Sequence, residues 1–207
     1  MRPLPRLHAI TDASVLALDD LGVRAAAIAA AGSAVALHAR DHSAAGARLT
    51  SVARRFLALA RPPEAAVFVN GRPDVAGAVG AQGVQLGSHD LTPAEARASF
   101  PLGWIGRSVH SLAEAEEAVA DGADFLLVGS IFPSPTHPGH PGAGPGLVRD
   151  TARLGPPVIA IGGIDTERAT RMREAGAYGV AAIGALWHVA DPAAAALALL
   201  APWLEDA

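Results

Sequence analysis

The sequence predicts an α/β protein, a single-domain (β/α)8 TIM barrel over residues 1-207, and three observations predict it. Eight short apolar, β-rich runs alternate with helical segments, the order that builds parallel βαβ units. The runs are nearly continuous in apolar residues rather than alternating, as parallel strands covered on both faces should be. The last two runs, PVIAIGG and GVAAIGAL, carry bare glycines at or near their ends, where barrels of this kind often hold a phosphate. An open doubly wound sheet is the competing architecture.

Taken in order, LHAIT (7–11) is the first strand, before a helix from Asp20 to Ala31. AVALHA (34–39) precedes a helix from Ala44 to Ala60, and AAVFVN (65–70) precedes a short helix from Pro73. GVQLG (83–87) leads to a helix with Thr92 as N-cap, Pro93 in its first turn and Glu95 completing a capping box. WIGRSVH (104–110) leads to a helix capped by Ser111, with Glu114 in position for a second box. FLLVGSI (125–131) runs into a long loop from Phe132 to Pro145. The segment PSPTHPGHPGAGPG (133–146) is too rich in Pro and Gly for regular structure and long enough for an active-site lid. The seventh and eighth strands flank a helix from Asp165, a good N-cap, to Glu174, closed by Gly176. Pro192 to Leu204 is an Ala/Leu-rich final helix.

Composition narrows the function. A chain of 207 residues, 51% hydrophobic with net charge −4, has an ample core and no basic excess, which disfavours nucleic acid or anionic membrane as partner. No apolar run approaches the roughly 20 residues of a membrane span, and MRPLPRLHAITD lacks the apolar centre of a signal peptide. With zero cysteines there is no thiol nucleophile and no thiolate metal site, which suits a cytoplasmic protein. All 16 basic residues are arginine, so Schiff-base chemistry on lysine is excluded. A homo-oligomer is compatible with the sequence and not specified by it.

In a barrel the reactive groups sit at the C-terminal ends of the strands. Those ends supply Thr11 and Asp12, His38 and Arg40, Asn70, Ser88, His89 and Asp90, Ser108 and His110, and Ser130. The loop adds Ser134, Thr136, His137 and His140. His38 alternates with apolar neighbours and points either into the barrel as a packed histidine or toward a ligand. Arg40 suits an anion, with a surface ion pair as the alternative. Asn70 ends an apolar strand where a polar side chain has no packing purpose, unless it serves the turn with Gly71. Asp90 is a lone carboxylate, a poor Mg²⁺ site without phosphates or a partner. His110 reads as a helix-start residue and His42 as solvent-facing. The loop histidines suit proton transfer near neutral pH. Gly162, Gly163 and Gly184 leave backbone N–H groups open to a phosphate. Nothing has HExxH spacing, so zinc is not expected.

LHAITD, VFVNGRPDVAGAVGAQGVQLGSHDL, IGRSVHSLAEAEEAVADGADFLLVGSIFPSPTHPG and PVIAIGGI…AGAYGVAAIGAL together resemble the thiamine phosphate synthase and TenI (thiazole tautomerase) superfamily. The resemblance runs in order along nearly the whole chain. The synthase joins hydroxymethylpyrimidine diphosphate to thiazole phosphate with Mg²⁺; the tautomerase aromatises thiazole phosphate carboxylate by moving protons. The resemblance implies that thiazole phosphate contacts Ser134, Pro135, Thr136, Gly163, Ile183 and Gly184. The diphosphate half departs from the synthase pattern. Ala36-Leu37-His38-Ala39-Arg40 stands for Gln-Leu-Arg-Glu-Lys, Asn70-Gly71 for Asn-Asp, and His137 for the lysine after Thr136. Only Asp90 remains of the metal pair. A diphosphate leaving group needs cations, so these departures favour an isomerase of the tautomerase type, with no cofactor and with His137, His89 or His38 as proton carrier. Some tautomerases carry that histidine where Ser130 stands. The alternatives are a synthase, a transferase that would use Mg²⁺ at Asp90, and a barrel that binds thiazole or thiamine phosphate without chemistry. An unrelated phosphosugar isomerase barrel is disfavoured by the motif order.

Overall fold

The computed structural model describes residues 3–41, 46–134, 139 and 141–204. Eight parallel strands close on themselves in chain order: β1 Leu7–Ile10, β2 Val35–Ala39, β3 Ala66–Asn70, β4 Gly83–Leu86, β5 Trp104–Val109, β6 Phe125–Val128, β7 Val158–Ile161 and β8 Gly179–Ala182, with β8 pairing back onto β1. This is the TIM barrel the sequence predicts, and closure removes the open edge a doubly wound sheet would leave.

The helices are α1 Ala13–Leu16, α2 Leu21–Ala29, α3 Gly46–Ala60, α4 Pro73–Val79, α5 Pro93–Ser99, α6 Leu112–Ala120, α7 Pro145–Thr151, α8 Thr166–Glu174, α9 Gly184–Trp187 and α10 Pro192–Leu200. Cap chemistry explains several starts. The Thr92 hydroxyl accepts from Glu95 N while Glu95 accepts from Thr92 N, a full capping box. Asp165 accepts from Arg168 N, and Asp191 from Ala194 N. At Ser111 the box is only half made. Its hydroxyl accepts from Glu114 N, but the Glu114 carboxylate turns back to His110 N at 2.9 Å and lies 3.1 Å from His110 Nδ1. Residues 42–45 lie outside the described residues, so the expected start of α3 at Ala44 and the position of His42 do too.

Two apolar layers follow from the strand pleat. Side chains pointing outward pack under the helices: Leu7, Leu37, Val67, Val84, Ile105 and Leu126 belong to this layer. Side chains pointing inward fill the barrel: Ile10, Ala36, Phe68, Phe125, Leu127, Ile159 and Ala181. The interior is a packed core rather than a pore. At its centre Phe68 and Phe125 meet edge to face with ring centroids 5.8 Å apart. Among the described residues no helix is long and apolar enough to cross a membrane.

Candidate active site

Strand register gathers the polar inward positions toward one end. Ile10 lies beside His38, His38 beside Phe68, and Asn70 beside Gln85. The inward line at the C-terminal rim is therefore His38, Asn70, Gln85 and Ser108, one from each of four successive strands. Gln85 donates to Ser108 Oγ at 3.0 Å, and its Oε1 is buried without a hydrogen-bond partner among the described residues.

His38 is fully buried and held at both ring nitrogens. Nε2 lies 2.8 Å from His8 Nδ1, and Nδ1 lies 2.9 Å from Asn70 Oδ1 as placed. Its ring also packs 5.0 Å from Phe68. Burial is the largest cause pulling its pKa down to about 4, and the Arg40 charge adds to the fall. With both nitrogens engaged inside the barrel, His38 is not placed to carry a proton to a ligand. That corrects its expected role and gives it the packed alternative. His8, which sequence reading treated as part of an apolar strand, is its fully buried partner. The alternation that put His38 inside applies equally to β1, where register sets His8 opposite Ala36.

On the rim, Thr11 closes the gap between β1 and β2. Its hydroxyl lies 3.0 Å from His38 O and 2.9 Å from Arg40 O, and it accepts from Arg40 N at 2.9 Å. The Arg40 guanidinium donates weakly to Thr11 O at 3.4 Å. Desolvation lowers the Arg40 pKa from the usual arginine range, against the raising influence of Asp12 and Asp41.

After β4 the turn 87–91 carries Ser88, His89 and Asp90, all exposed. Asp90 Oδ2 accepts from Gly87 N at 2.7 Å. Its carboxylate faces the Gly71 backbone so closely that a Cβ there would lie 3.1 Å from Oδ1. Arg107, on the outer face of β5, braces this turn. Its guanidinium donates to Gly87 O at 2.7 Å, Leu91 O at 3.1 Å and Ser88 O at 3.3 Å. Sequence reading missed Arg107; its strand position, one before the inward Ser108, was the available signal.

The glycine loops sit opposite. Gly162 and Gly163 have φ of +103° and +62°, a region L side chains avoid. The chain leaving β6 crosses directly over them. Ile131 N donates to Ile161 O at 2.9 Å and Phe132 N to Gly162 O at 3.0 Å. A Cβ on Gly162 would collide with Ser130 Oγ and lie 2.8 Å from Ser130 Cα. Close packing thus explains these glycines as much as open amides do. Gly184 differs: it is exposed, opens α9 rather than continuing a strand, and a Cβ there would meet nothing within 4 Å. Ile183, its N-cap, is half-buried against the inner core. Ser134 is half-buried, while Pro135, Thr136, His137 and His140 lie outside the described residues.

A closed parallel barrel with its polar groups at the C-terminal rim belongs to the class of TIM barrels that use that rim as their working face. Within that class the chain belongs to the thiamine monophosphate synthase family, whose TMP-TENI model matches residues 7–186. It is 41% identical over 206 residues to the thiamine-phosphate synthase of Salinispora tropica, covering 97% of this chain and 98% of that one. It is 45% identical over 151 residues to the thiamine-phosphate synthase of Thermus thermophilus, covering 72% of this chain and 73% of that one. Its backbone resembles a thiamine phosphate pyrophosphorylase from Pyrococcus furiosus with TM-score 0.81 at 33% identity, covering 97% and 96% of the two chains. These relatives overturn the expectation of a tautomerase and of an isomerase; they carry the name of a transferase.

Proposed function

We propose that the chain is a thiamine-phosphate synthase, a transferase joining hydroxymethylpyrimidine diphosphate to thiazole phosphate. The observation that carries this reading is the 41% identity to a relative of that name across 97% of the chain. The shape of the rim supports it, because the candidate anchors fall into two separate groups. One is the β2–β4 side, with Arg40 and Asp90; the other is the β7–β8 side, with Gly163 and Gly184. Two phosphorylated substrates need two such anchors.

In this reading the thiazole phosphate rests on the β7–β8 side, at the backbone N–H groups of Gly163 and Gly184, with Ser134 near the base of the β6 loop. The diphosphate lies toward Arg40 and Asp90. The thiazole ring nitrogen forms the new C–N bond at the pyrimidine methylene carbon as the C–O bond to diphosphate breaks. The electron pair leaves with the diphosphate. The protein's part is to align the two rings and to balance the charge of the departing group.

Mg²⁺ is the ion the family resemblance implies, and the residues present meet its smallest requirement. Among the described residues no group of three His, Cys, Asp or Glu side chains forms a metal site. Mg²⁺ is commonly held by one or two carboxylates plus substrate phosphates. Asp90, pinned through Gly87 N, is the carboxylate that would hold it together with the diphosphate. When bound, the ion supplies positive charge to the leaving group.

The test is formation of thiamine phosphate from the two precursors with Mg²⁺ present. Coupling above the uncatalysed rate is expected. Absence of product with any divalent ion, under conditions where a known synthase works, rejects the reading.

A further inference from the structure

A line of hydrogen-bonding groups crosses the largely apolar barrel from floor to rim. His8 Nε2 lies 3.0 Å from Pro5 O, His8 Nδ1 lies 2.8 Å from His38 Nε2, and His38 Nδ1 lies 2.9 Å from the Asn70 amide. Both imidazoles are fully buried, and Phe68 and Phe125 pack around them. In such surroundings each contact is expected to be a real donor–acceptor pair, since a buried polar group without a partner is costly.

Proton counting then gives the line a direction. A carbonyl oxygen only accepts, so His8 Nε2 carries a hydrogen toward Pro5 O. A neutral imidazole has one N–H, so His8 Nδ1 is bare and accepts from His38 Nε2–H. His38 Nδ1 is then bare as well, and its neighbour must donate. As placed, Asn70 Oδ1 faces His38 Nδ1, but the two ends of a side-chain amide have nearly the same shape, so proton count decides which end belongs there. That end is the NH₂ group. Burial favours the neutral form of both rings and lowers both pKa values.

We infer that His8 is a positioning residue: by way of His38 it turns the Asn70 amide so that its N–H faces the barrel core and its carbonyl oxygen faces the rim. Asn70 is half-buried at the end of β3, so its outward end is the one a ligand can meet. A ligand group meeting Asn70 must then be a hydrogen-bond donor or a cation. An anionic oxygen would be repelled there. The rim is thereby sorted, with an acceptor at Asn70 and N–H donors at the glycine loops. The Pro5 carbonyl, at the opposite end of the barrel, sets the polarity of an atom at the working face.

The direction is measurable on the full chain without ligand, by ¹⁵N–¹H correlation spectra of the histidine rings near neutral pH. Both His8 and His38 are expected as Nε2–H tautomers. A His38 proton on Nδ1 overturns the inference, whether or not the chain makes thiamine phosphate. The effect on turnover rests on the synthase reading and is tested separately. In His8→Phe, His38 is free to take either tautomer. Loss of its single tautomer, with KM for the pyrimidine diphosphate raised about tenfold at unchanged kcat, supports the inference. His8→Gln can accept from His38 and donate to Pro5 O, and it is expected to restore both. A His8→Phe protein that keeps the His38 Nε2–H tautomer and the original KM overturns the proposal. Should that variant fail to fold, His8→Gln decides: Nε2–H at His38 supports the inference and Nδ1–H overturns it. A wild-type chain that makes no product rejects the synthase reading, while the tautomers still decide the direction.

Discussion

Replacing Arg107 with methionine should loosen the turn that carries Asp90 while leaving the barrel intact. The methionine keeps much of the aliphatic stem and removes three N–H donations, to Gly87 O at 2.7 Å, Leu91 O at 3.1 Å and Ser88 O at 3.3 Å. Arg107 is half-buried and the turn is largely exposed, so water replaces part of what is lost. At roughly 0.5–1 kcal/mol per bond the turn loses about 2 kcal/mol of local stability, on the order of a 30-fold change in its opening equilibrium. The amides of Gly87 and Asp90 report it directly, because both are hydrogen-bonded within the turn, Gly87 N to Asp90 Oδ2 and Asp90 N to Gly87 O. Hydrogen exchange at these two amides should accelerate roughly 10- to 100-fold, with strands β3 and β5 unchanged. Apparent Mg²⁺ affinity in the coupling assay should weaken by up to about tenfold, since the ion then has to order its own carboxylate. Unchanged exchange at Gly87 and Asp90 would refute the bracing role. Unchanged Mg²⁺ affinity alongside accelerated exchange would detach the turn from the metal.

Three further outcomes can be checked. Asp90→Asn should keep the fold, because an amide oxygen can still accept from Gly87 N, and should lower Mg²⁺-dependent coupling roughly 100-fold; a variant as active as the parent would remove Asp90 from the site. Gly162→Ala meets both a φ of +103° and the backbone of Ser130, so thermal denaturation should fall by about 10 °C or more, while Gly184→Ala, with open space before it, should melt within a few degrees of the parent and weaken thiazole phosphate binding. Stability should also fall on acidification: His38 has its pKa depressed from 6.5 to about 4 in the fold, so the unfolded chain takes up a proton first as pH drops. This contribution is complete above the unfolded value and is lost between about pH 6.5 and 4, with roughly 2 kcal/mol gone by pH 5 and His8 acting in the same direction. Urea denaturation at pH 7 and pH 5 measures it, and equal midpoints would contradict a buried neutral pair.

The strands were legible because each is a short apolar run with turn residues at its ends, and several helix starts because cap chemistry is local: Thr92 with Glu95 and Asp165 with Arg168 are complete within four residues. What depends on contacts between distant segments was not. The Glu114 carboxylate had two candidate donors on the preceding turn, and nothing local decides between Ser111 and His110. α9 is a four-residue helix begun inside an apolar stretch, so it read as more strand; α7 follows a Pro/Gly segment that masked its start. His8 looked apolar by association until the register placed it beside His38. The functional expectation failed for a related reason. It counted the amide lost at Ala36 and the charges lost at His38 and Gly71 as if a synthase site needed each of them. The relatives named as synthases favour a transferase all the same.

Among the described residues, the aromatic filling of the barrel leaves the C-terminal rim as the doorway. Phe68, Phe125 and the two histidines stop up the shaft, so nothing can approach the reacting centre from beneath. On the synthase reading, two guests share one threshold. The joined product then has to back out by the way its halves came in, which makes departure, rather than bond-making, a natural place for the cycle to wait.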